Sequence, residues 1–132
     1  MNSLILVRHG QSDWNAENKF TGWVDAQLSE KGKEEAKLAG KLIKDLEIHL
    51  VYSFTSFLKR AKNTLEIILD TLDVKKVKIE EAWELNERHY GSLTGLNKKE
   101  TESRIGMELF KTYRRSWKIA PPEIEANNIN LK

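Results

Sequence analysis

The sequence predicts an α/β protein built around a mostly parallel β-sheet. Short apolar runs that suit buried strands alternate with longer segments in which apolar residues recur at helical spacing. The first apolar run ends abruptly in polar and glycine residues, as strands do where an α/β sheet binds its ligand. Because parallel sheets are normally covered on both faces, we expect a three-layer α/β/α arrangement.

Composition limits the function classes. The 132 residues, 39% hydrophobic and 32% charged, predict one soluble domain. The chain lacks an apolar run of about 18 residues and a signal-type amino terminus, so we expect no membrane association and a cytoplasmic location. A formal net charge of +2 does not suggest nucleic-acid binding. Without cysteine, and with His9, His49 and His89 far apart in sequence, no metal site is expected.

The first predicted strand covers residues 4–7, where four consecutive apolar residues suit burial on both faces. Arg8, His9 and Gly10 follow at its carboxyl end, which places a potential nucleophile beside a cation. Gly10 would let the backbone turn sharply and approach a ligand. From this heptapeptide alone, a catalytic histidine and an ordinary surface Arg-His pair are equally good interpretations.

A polar segment, residues 11–23, follows the first strand. Ser12, Asn15 and Thr21 carry short side chains that can donate hydrogen bonds to an anion. The alternative is an ordinary surface connection, which is disfavoured because the segment also carries two tryptophans and a phenylalanine that need cover.

A helix is predicted over residues 30–46, a second strand over 48–54, and a second helix that ends at Leu72. Thr55 and Ser56 are the expected amino-terminal cap of that second helix. Lys59 and Arg60 then fall in its first turn, where the helix dipole does not favour cations. A bound anion explains such a pair better than an exposed surface position, although exposed Lys-Arg pairs are common.

A short third strand is predicted at residues 77–79, and residues 83–91 form a loop rich in polar and aromatic side chains. Four consecutive residues, 87–90, provide a carboxylate, a guanidinium, an imidazole and a phenol. A further helix is expected over about 99–110, and the Pro121-Pro122 pair should end any helix. Three strands make a thin sheet, so residues 1–132 are expected to form a single but incomplete domain.

Basic residues around His9 would provide the ingredients of phosphoryl transfer. Arginine forks match phosphate oxygens and neutralise the charge of a transferring phosphoryl group without a metal. An imidazole oriented by a backbone carbonyl is a competent nucleophile, and Glu87 could move the proton of the substrate hydroxyl. The basic residues are Arg8, Arg60, Arg88, Lys98, Arg114 and Arg115.

These motifs together resemble one enzyme family, the 2,3-bisphosphoglycerate-dependent phosphoglycerate mutases of the histidine phosphatase superfamily. The resemblance covers residues 4–122, and the segments at 85–91, 95–98 and 114–115 are more specific to the mutases than Arg-His-Gly alone. The motifs are Leu6-Val7-Arg8-His9-Gly10 with Ser12, Trp14 and Asn15, then Phe20-Thr21-Gly22-Trp23, Leu28-Ser29-Glu30-Lys31-Gly32, Leu58-Lys59-Arg60-Ala61, Leu85-Asn86-Glu87-Arg88-His89-Tyr90-Gly91, Gly95-Leu96-Asn97-Lys98 and Arg114-Arg115.

The resemblance implies a phosphoglycerate mutase-like fold and an isomerase of glycolysis and gluconeogenesis. His9 would be phosphorylated by 2,3-bisphosphoglycerate, the phosphoryl primer, and Glu87 would donate and accept protons. Arg8 and Arg60 would hold the phosphoryl group while 2-phosphoglycerate and 3-phosphoglycerate interconvert. Further implied substrate contacts are Gly10, Gln11, Ser12, Asn15, Thr21 and Gly22, with Arg88, His89, Tyr90, Lys98, Arg114 and Arg115 on the carboxylate and second phosphate.

One departure from the family is that the second active-site histidine, in a His-Gly motif, is missing. The sequence therefore resembles the amino-terminal part of a mutase, and we expect a truncated fold, an exposed apolar sheet edge and weak or absent turnover. Expected partners are phosphoglycerates, with a homo-oligomer or a complementing carboxyl-terminal chain as alternatives. A histidine-type phosphomonoesterase and a non-catalytic phosphoglycerate-binding chain are the alternative functions.

Overall fold

The computed structural model describes residues 3–124, and residues 125–132, for which the sequence shows no periodicity, lie outside that range. Helix α1 spans Asp13–Ala16, α2 Glu30–Lys44 and α3 Lys59–Leu72; strand β1 spans Tyr52–Thr55 and β2 Lys78–Glu81. Helix α4 spans Lys98–Ile105, α5 spans Met107–Arg115, and 3-10 turns lie at Trp83–Leu85 and Gly91–Leu93. No helix within residues 3–124 is both long and apolar enough to cross a membrane.

Within residues 3–124 the sheet has two strands in parallel, with Tyr52 opposite Lys78 and Thr55 opposite Glu81. Helix α3 forms the crossover that a parallel pair requires. The predicted α/β class with a parallel sheet is therefore confirmed, although both strands are displaced from their predicted positions at 48–54 and 77–79.

The prediction of a strand at residues 4–7 is wrong. Leu4 is 81% and Leu6 86% exposed, and these residues pair with no strand of the part of the chain that the structure describes. An apolar run forms a buried strand only when neighbouring backbone supplies its ladder and side chains cover its faces. The apolar pattern at residues 4–7 indicates that these side chains favour burial, but it does not indicate whether neighbouring strands are present to bury them.

Helix α2 follows its prediction closely, ending at Lys44 rather than residue 46. The Ser29 hydroxyl caps it by accepting a hydrogen bond from the Gly32 amide. Its buried face includes Ala36, Gly40 and Ile43, so the charged residues between them face solvent.

The predicted cap of α3 at Thr55 and Ser56 is wrong. Thr55 completes strand β1, and the helix begins at Lys59 after Leu58, which makes no side-chain capping hydrogen bond. Instead, the Asp25 carboxylate accepts a hydrogen bond from the Lys59 amide at 2.7 Å. A residue distant in sequence thus supplies the acceptor that a local cap would provide.

The helical region predicted over 99–110 is two helices. Gly106 separates α4 from α5 with a φ of 85°, a conformation that favours glycine. Consequently Arg114 and Arg115 lie in the last turn of a helix. Phe110 on α5 packs with Phe20, Tyr90 and Leu93 in a buried cluster beneath the polar loops.

Candidate active site

His9 lies half-buried in the irregular segment before α1 and has a defined orientation. Its Nδ1 is 2.7 Å from the Gly10 carbonyl oxygen. Because a carbonyl can only accept, Nδ1 carries the proton and Nε2 keeps its lone pair. The Nε–H of Arg60 donates to that Nε2 at 3.3 Å. The nitrogen available for nucleophilic attack therefore faces a guanidinium.

The surroundings of His9 favour the neutral form of its imidazole. Burial is the main cause that lowers its pKa below 6.5, and the positive charges of Arg60 and Arg8 lower it further. The Gly10 carbonyl and the Glu87 carboxylate act in the opposite direction without reversing the shift. A neutral imidazole is the nucleophilic form.

Arg60 is 0% exposed and connects His9 with the other elements of the site. Its Nη2 donates to the Gly22 carbonyl at 2.7 Å and to Glu87 Oε2 at 2.9 Å. Its Nη1 donates to the Val24 carbonyl at 2.9 Å. The first turn of α3, the loop around residue 22 and Glu87 are thereby held around His9.

Helices α2 and α3 hold the irregular backbone segment that follows His9. The Gly10 amide donates to the buried Thr64 hydroxyl at 3.1 Å, and the Gln11 amide donates to Glu35 Oε2 at 2.8 Å. A Cβ on Gly10 would lie 2.2 Å from the Gly32 carbonyl oxygen, so this backbone approach requires glycine. Sequence reasoning missed Thr64 and Glu35, because each looks like an ordinary polar helix residue until the helices are placed.

Two adjoining cavities of about 310 and 340 Å³ open beside Arg8, and the larger one reaches His9. They share Arg8, Asn15 and Lys98. The smaller one is lined further by Glu87, Tyr90, Arg114 and Arg115, and the larger one by His9, Gln11 and Glu35. A concave surface with this many cations suits a ligand carrying more than one anionic group.

Burial changes the titration of two side chains in the smaller cavity. It lowers the pKa of Lys98, and the nearby charge of Arg114 adds to that effect. It also raises the pKa of Tyr90, with the Glu87 carboxylate adding to the effect, so the phenol remains a hydrogen-bond donor.

Several residues expected to contact substrate use their side chains within the protein. Ser12 is fully buried and its hydroxyl accepts from the Asn15 amide, while Asn15 Oδ1 accepts from the Ser12 amide. The two residues thus form the capping box of α1, and Asn15 still lines both cavities. Thr21, beside Gly22, is buried, and its hydroxyl has no hydrogen-bond partner among the residues that the structure describes.

The side chains of Arg88 and His89 are absent from the lining of the two cavities described above. Arg88 donates to the carbonyls of Tyr113, at 2.9 Å, and of Ser116. His89 Nδ1 accepts from the Gly91 amide at 2.9 Å, and its ring packs edge-on against Trp23.

Comparison with known proteins identifies relatives of this chain. A curated 2,3-bisphosphoglycerate-dependent phosphoglycerate mutase of Hamiltonella defensa subsp. Acyrthosiphon pisum (strain 5AT) is 52% identical over 125 residues, covering 95% of this chain and 50% of the relative. The chain thus spans about half the length of that relative.

Solved structures also match the fold of this chain, over about half of their own length. The mycobacterial glucosyl-3-phosphoglycerate phosphatase in complex with VO3 matches with a TM-score of 0.71 at 25% identity, over 86% of this chain and 51% of the other. The phosphoglycerate mutase of Bacillus anthracis str. Sterne matches with a TM-score of 0.66 at 28% identity, over 80% and 47%. The sequence model of the histidine phosphatase superfamily (branch 1) matches residues 4–128, and the chain belongs to that superfamily.

Proposed function

We propose that this chain carries the phosphohistidine site of a 2,3-bisphosphoglycerate-dependent phosphoglycerate mutase. The reaction would interconvert 2-phosphoglycerate and 3-phosphoglycerate in glycolysis and gluconeogenesis, in the cytoplasm. The main supporting observation is that His9, with Nε2 as its unprotonated nitrogen, lines one of two adjoining cationic cavities, while Arg114 and Arg115 line the other. A phosphoglycerate has a phosphate and a carboxylate, and the primer has a second phosphate, so each anionic group would meet its own cations.

The residues support a balanced transfer in two steps. His9 Nε2 attacks phosphorus, the ester P–O bond breaks, and the leaving oxygen takes a proton from the Glu87 carboxyl. In the return step the acceptor hydroxyl gives its proton to Glu87 and attacks the phosphoryl group, and the P–N bond breaks. Arg8 and Arg60, both close enough to His9 to lower its pKa, would offset the charge on the moving phosphoryl oxygens.

The direct test is phosphorylation of His9 with labelled 2,3-bisphosphoglycerate. We expect an acid-labile label on wild-type protein that His9→Ala abolishes. His49→Ala is the matched control, because His49 is exposed and precedes strand β1, and it should keep the label. An unlabelled wild-type protein at saturating bisphosphoglycerate would contradict the proposal. Steady-state turnover by the chain alone should be weak or absent.

A phosphatase is the second candidate, and the resemblance to the mycobacterial glucosyl-3-phosphoglycerate phosphatase favours it. It would transfer the phosphoryl group from His9 to water, so labelled protein would release inorganic phosphate. A mutase would return the label to added 3-phosphoglycerate. The fate of the label in the presence of 3-phosphoglycerate therefore distinguishes the two candidates.

A non-catalytic role is the third candidate, in which the chain binds phosphoglycerate or completes its fold with another chain. The exposed Leu4 and Leu6 support completion by a homo-oligomer or by a carboxyl-terminal chain. Calorimetric binding of 2,3-bisphosphoglycerate without a label on His9 would favour this candidate.

A further inference from the structure

Arg88 follows the proposed acid-base residue in sequence, but its side chain points to a different element. Its half-buried guanidinium donates from Nη1 to the Tyr113 carbonyl at 2.9 Å and from Nη2 to the Ser116 carbonyl. Both carbonyls lie at the carboxyl end of α5, where Ser116 is the terminal cap. Carbonyls there have no intrahelical partner, and a cation also interacts favourably with the helix dipole. Arg88 thus bonds one end of α5 to the Glu87 loop.

The last turn of α5 carries Arg114 and Arg115, which line the smaller cavity together with Arg8 and Lys98. These cations repel one another across the cavity, so the helix end needs support when no anion is bound. Arg114 itself lies with its guanidinium over the Phe110 ring at 5.2 Å, and its buried Nε has no hydrogen-bond partner within residues 3–124. The placement of Arg114 and Arg115 therefore depends on how α5 is held.

Glu87 and Arg88 are consecutive residues of one loop, and each bonds to a different part of the site. The Glu87 carboxylate pairs with Arg60, which donates to His9, while the Arg88 guanidinium holds the helix that carries Arg114 and Arg115. The distance between the nucleophile and the second group of cations is thereby set through one short backbone segment.

We propose that Arg88 is a positioning residue that fixes the end of α5, so that Arg114 and Arg115 meet the second anionic group of the substrate. This assignment differs from the direct substrate contact that the family resemblance implies for Arg88. It deepens the proposed function and rests on it for the identity of the ligand, a molecule with two anionic groups.

A double-mutant cycle distinguishes positioning from direct contact. By calorimetry, Arg88→Met should weaken 2,3-bisphosphoglycerate binding about tenfold and leave inorganic phosphate binding unchanged. In a chain already carrying Arg114→Met and Arg115→Met, adding Arg88→Met should cause no further loss. Arg104→Met, at an exposed arginine of α4, removes the same charge and should have no effect. Additive losses would mean that Arg88 contacts the ligand itself, and the proposal would be overturned.

A second measurement needs no ligand. The Ser116 amide donates to the Thr112 carbonyl at 2.9 Å, and its hydrogen exchange reports on the last turn of α5. Arg88→Met should speed that exchange about tenfold relative to Arg104→Met, and exchange in α2 should not change. Arg88→Lys keeps the charge without the two-pronged geometry and should give an intermediate rate. Unchanged exchange in both Arg88 variants would overturn the inference, whereas faster exchange with an unlabelled His9 would count only against the proposed function.

Discussion

Arg60 shows how one buried guanidinium organises the site at the residue scale. It is fully buried yet contacts a histidine, a carboxylate and two backbone carbonyls, so its charge is compensated by several acceptors. Buried charges are tolerated only when paired in this way. The same contacts give Arg60 a structural role in addition to its proposed chemical role.

Removing this guanidinium should therefore be costly. Arg60→Met leaves the Gly22 and Val24 carbonyls and the Glu87 carboxylate without their donor, and we expect the free energy of unfolding to fall by about 3 kcal/mol. Lys59→Met is the matched control, because Lys59 is exposed and its substitution should change stability by less than about 0.5 kcal/mol. Urea unfolding of both variants measures the difference, and equal stabilities would contradict the structural role of Arg60.

The lowered pKa of His9 predicts a pH dependence with a definite sign. Because folding disfavours the charged imidazolium of His9, this side chain takes up its proton at a lower pH in the folded chain than in the unfolded chain, where it titrates near 6.5. Stability should therefore decrease on acidification through that range, and His9→Gln should remove this part of the decrease. The rate of His9 labelling should remain constant until the pH is below 6.5. An NMR titration midpoint of His9 above 6.5 would contradict this prediction.

At the scale of elements, the amino-terminal turns of α2 support the backbone segment that follows His9. Gly32 is buried in the helix, and a Cβ there would lie 2.0 Å from the Gln11 carbonyl oxygen. Close packing of two backbones thus fixes where the polypeptide leaves His9, and the Gln11 hydrogen bond to Glu35 reinforces the same contact.

Gly32→Ala tests this support. Alanine normally stabilises a helix interior by about 1 kcal/mol relative to glycine. Here the clash with Gln11 should outweigh that gain, lower stability by about 2 kcal/mol and slow His9 labelling. Glu34→Ala, at an exposed position in the same helix, should leave both properties nearly unchanged. A Gly32→Ala protein that is more stable than wild type would show that the backbone contact is not close.

On the scale of the whole molecule, apolar side chains remain exposed in the sheet and in the amino-terminal segment. Most of the side chain is exposed at Leu4, Leu6, Val51 and Phe54, and about half of it is exposed at Ile79. A two-stranded sheet is marginal by itself, and its free edge can pair with other chains.

We therefore expect concentration-dependent self-association, binding of a hydrophobic dye and a broad thermal transition. Leu6→Lys should reduce association and dye binding while leaving the free energy of unfolding of the monomer nearly unchanged, because Leu6 is already exposed. Sedimentation and dye fluorescence across a concentration series provide the measurement. A sharp, reversible two-state melt at low concentration would contradict this picture.

Sequence patterns predicted the parallel α/β class, helix α2 and the residue at which α3 ends. These features depend on local periodicity and capping. Arg8, His9, Glu87 and Lys98 were recognised as chemical candidates from residue type and motif, and the structure brings them together around adjoining cavities. The failed predictions, the strand at residues 4–7 and the cap at Thr55, concern partners from distant parts of the chain.

The motifs alone identified the family and the functional groups available at the site, since both depend only on residue type and local order along the chain. Only the tertiary structure decided where each charge is directed: Arg60 toward His9 and Glu87, and Arg88 toward the end of α5. Both are arginines within basic motifs, and the difference between them lies in which carbonyl and carboxylate oxygens the folded backbone brings within hydrogen-bonding distance. Such distances arise from packing between elements, which no local pattern encodes.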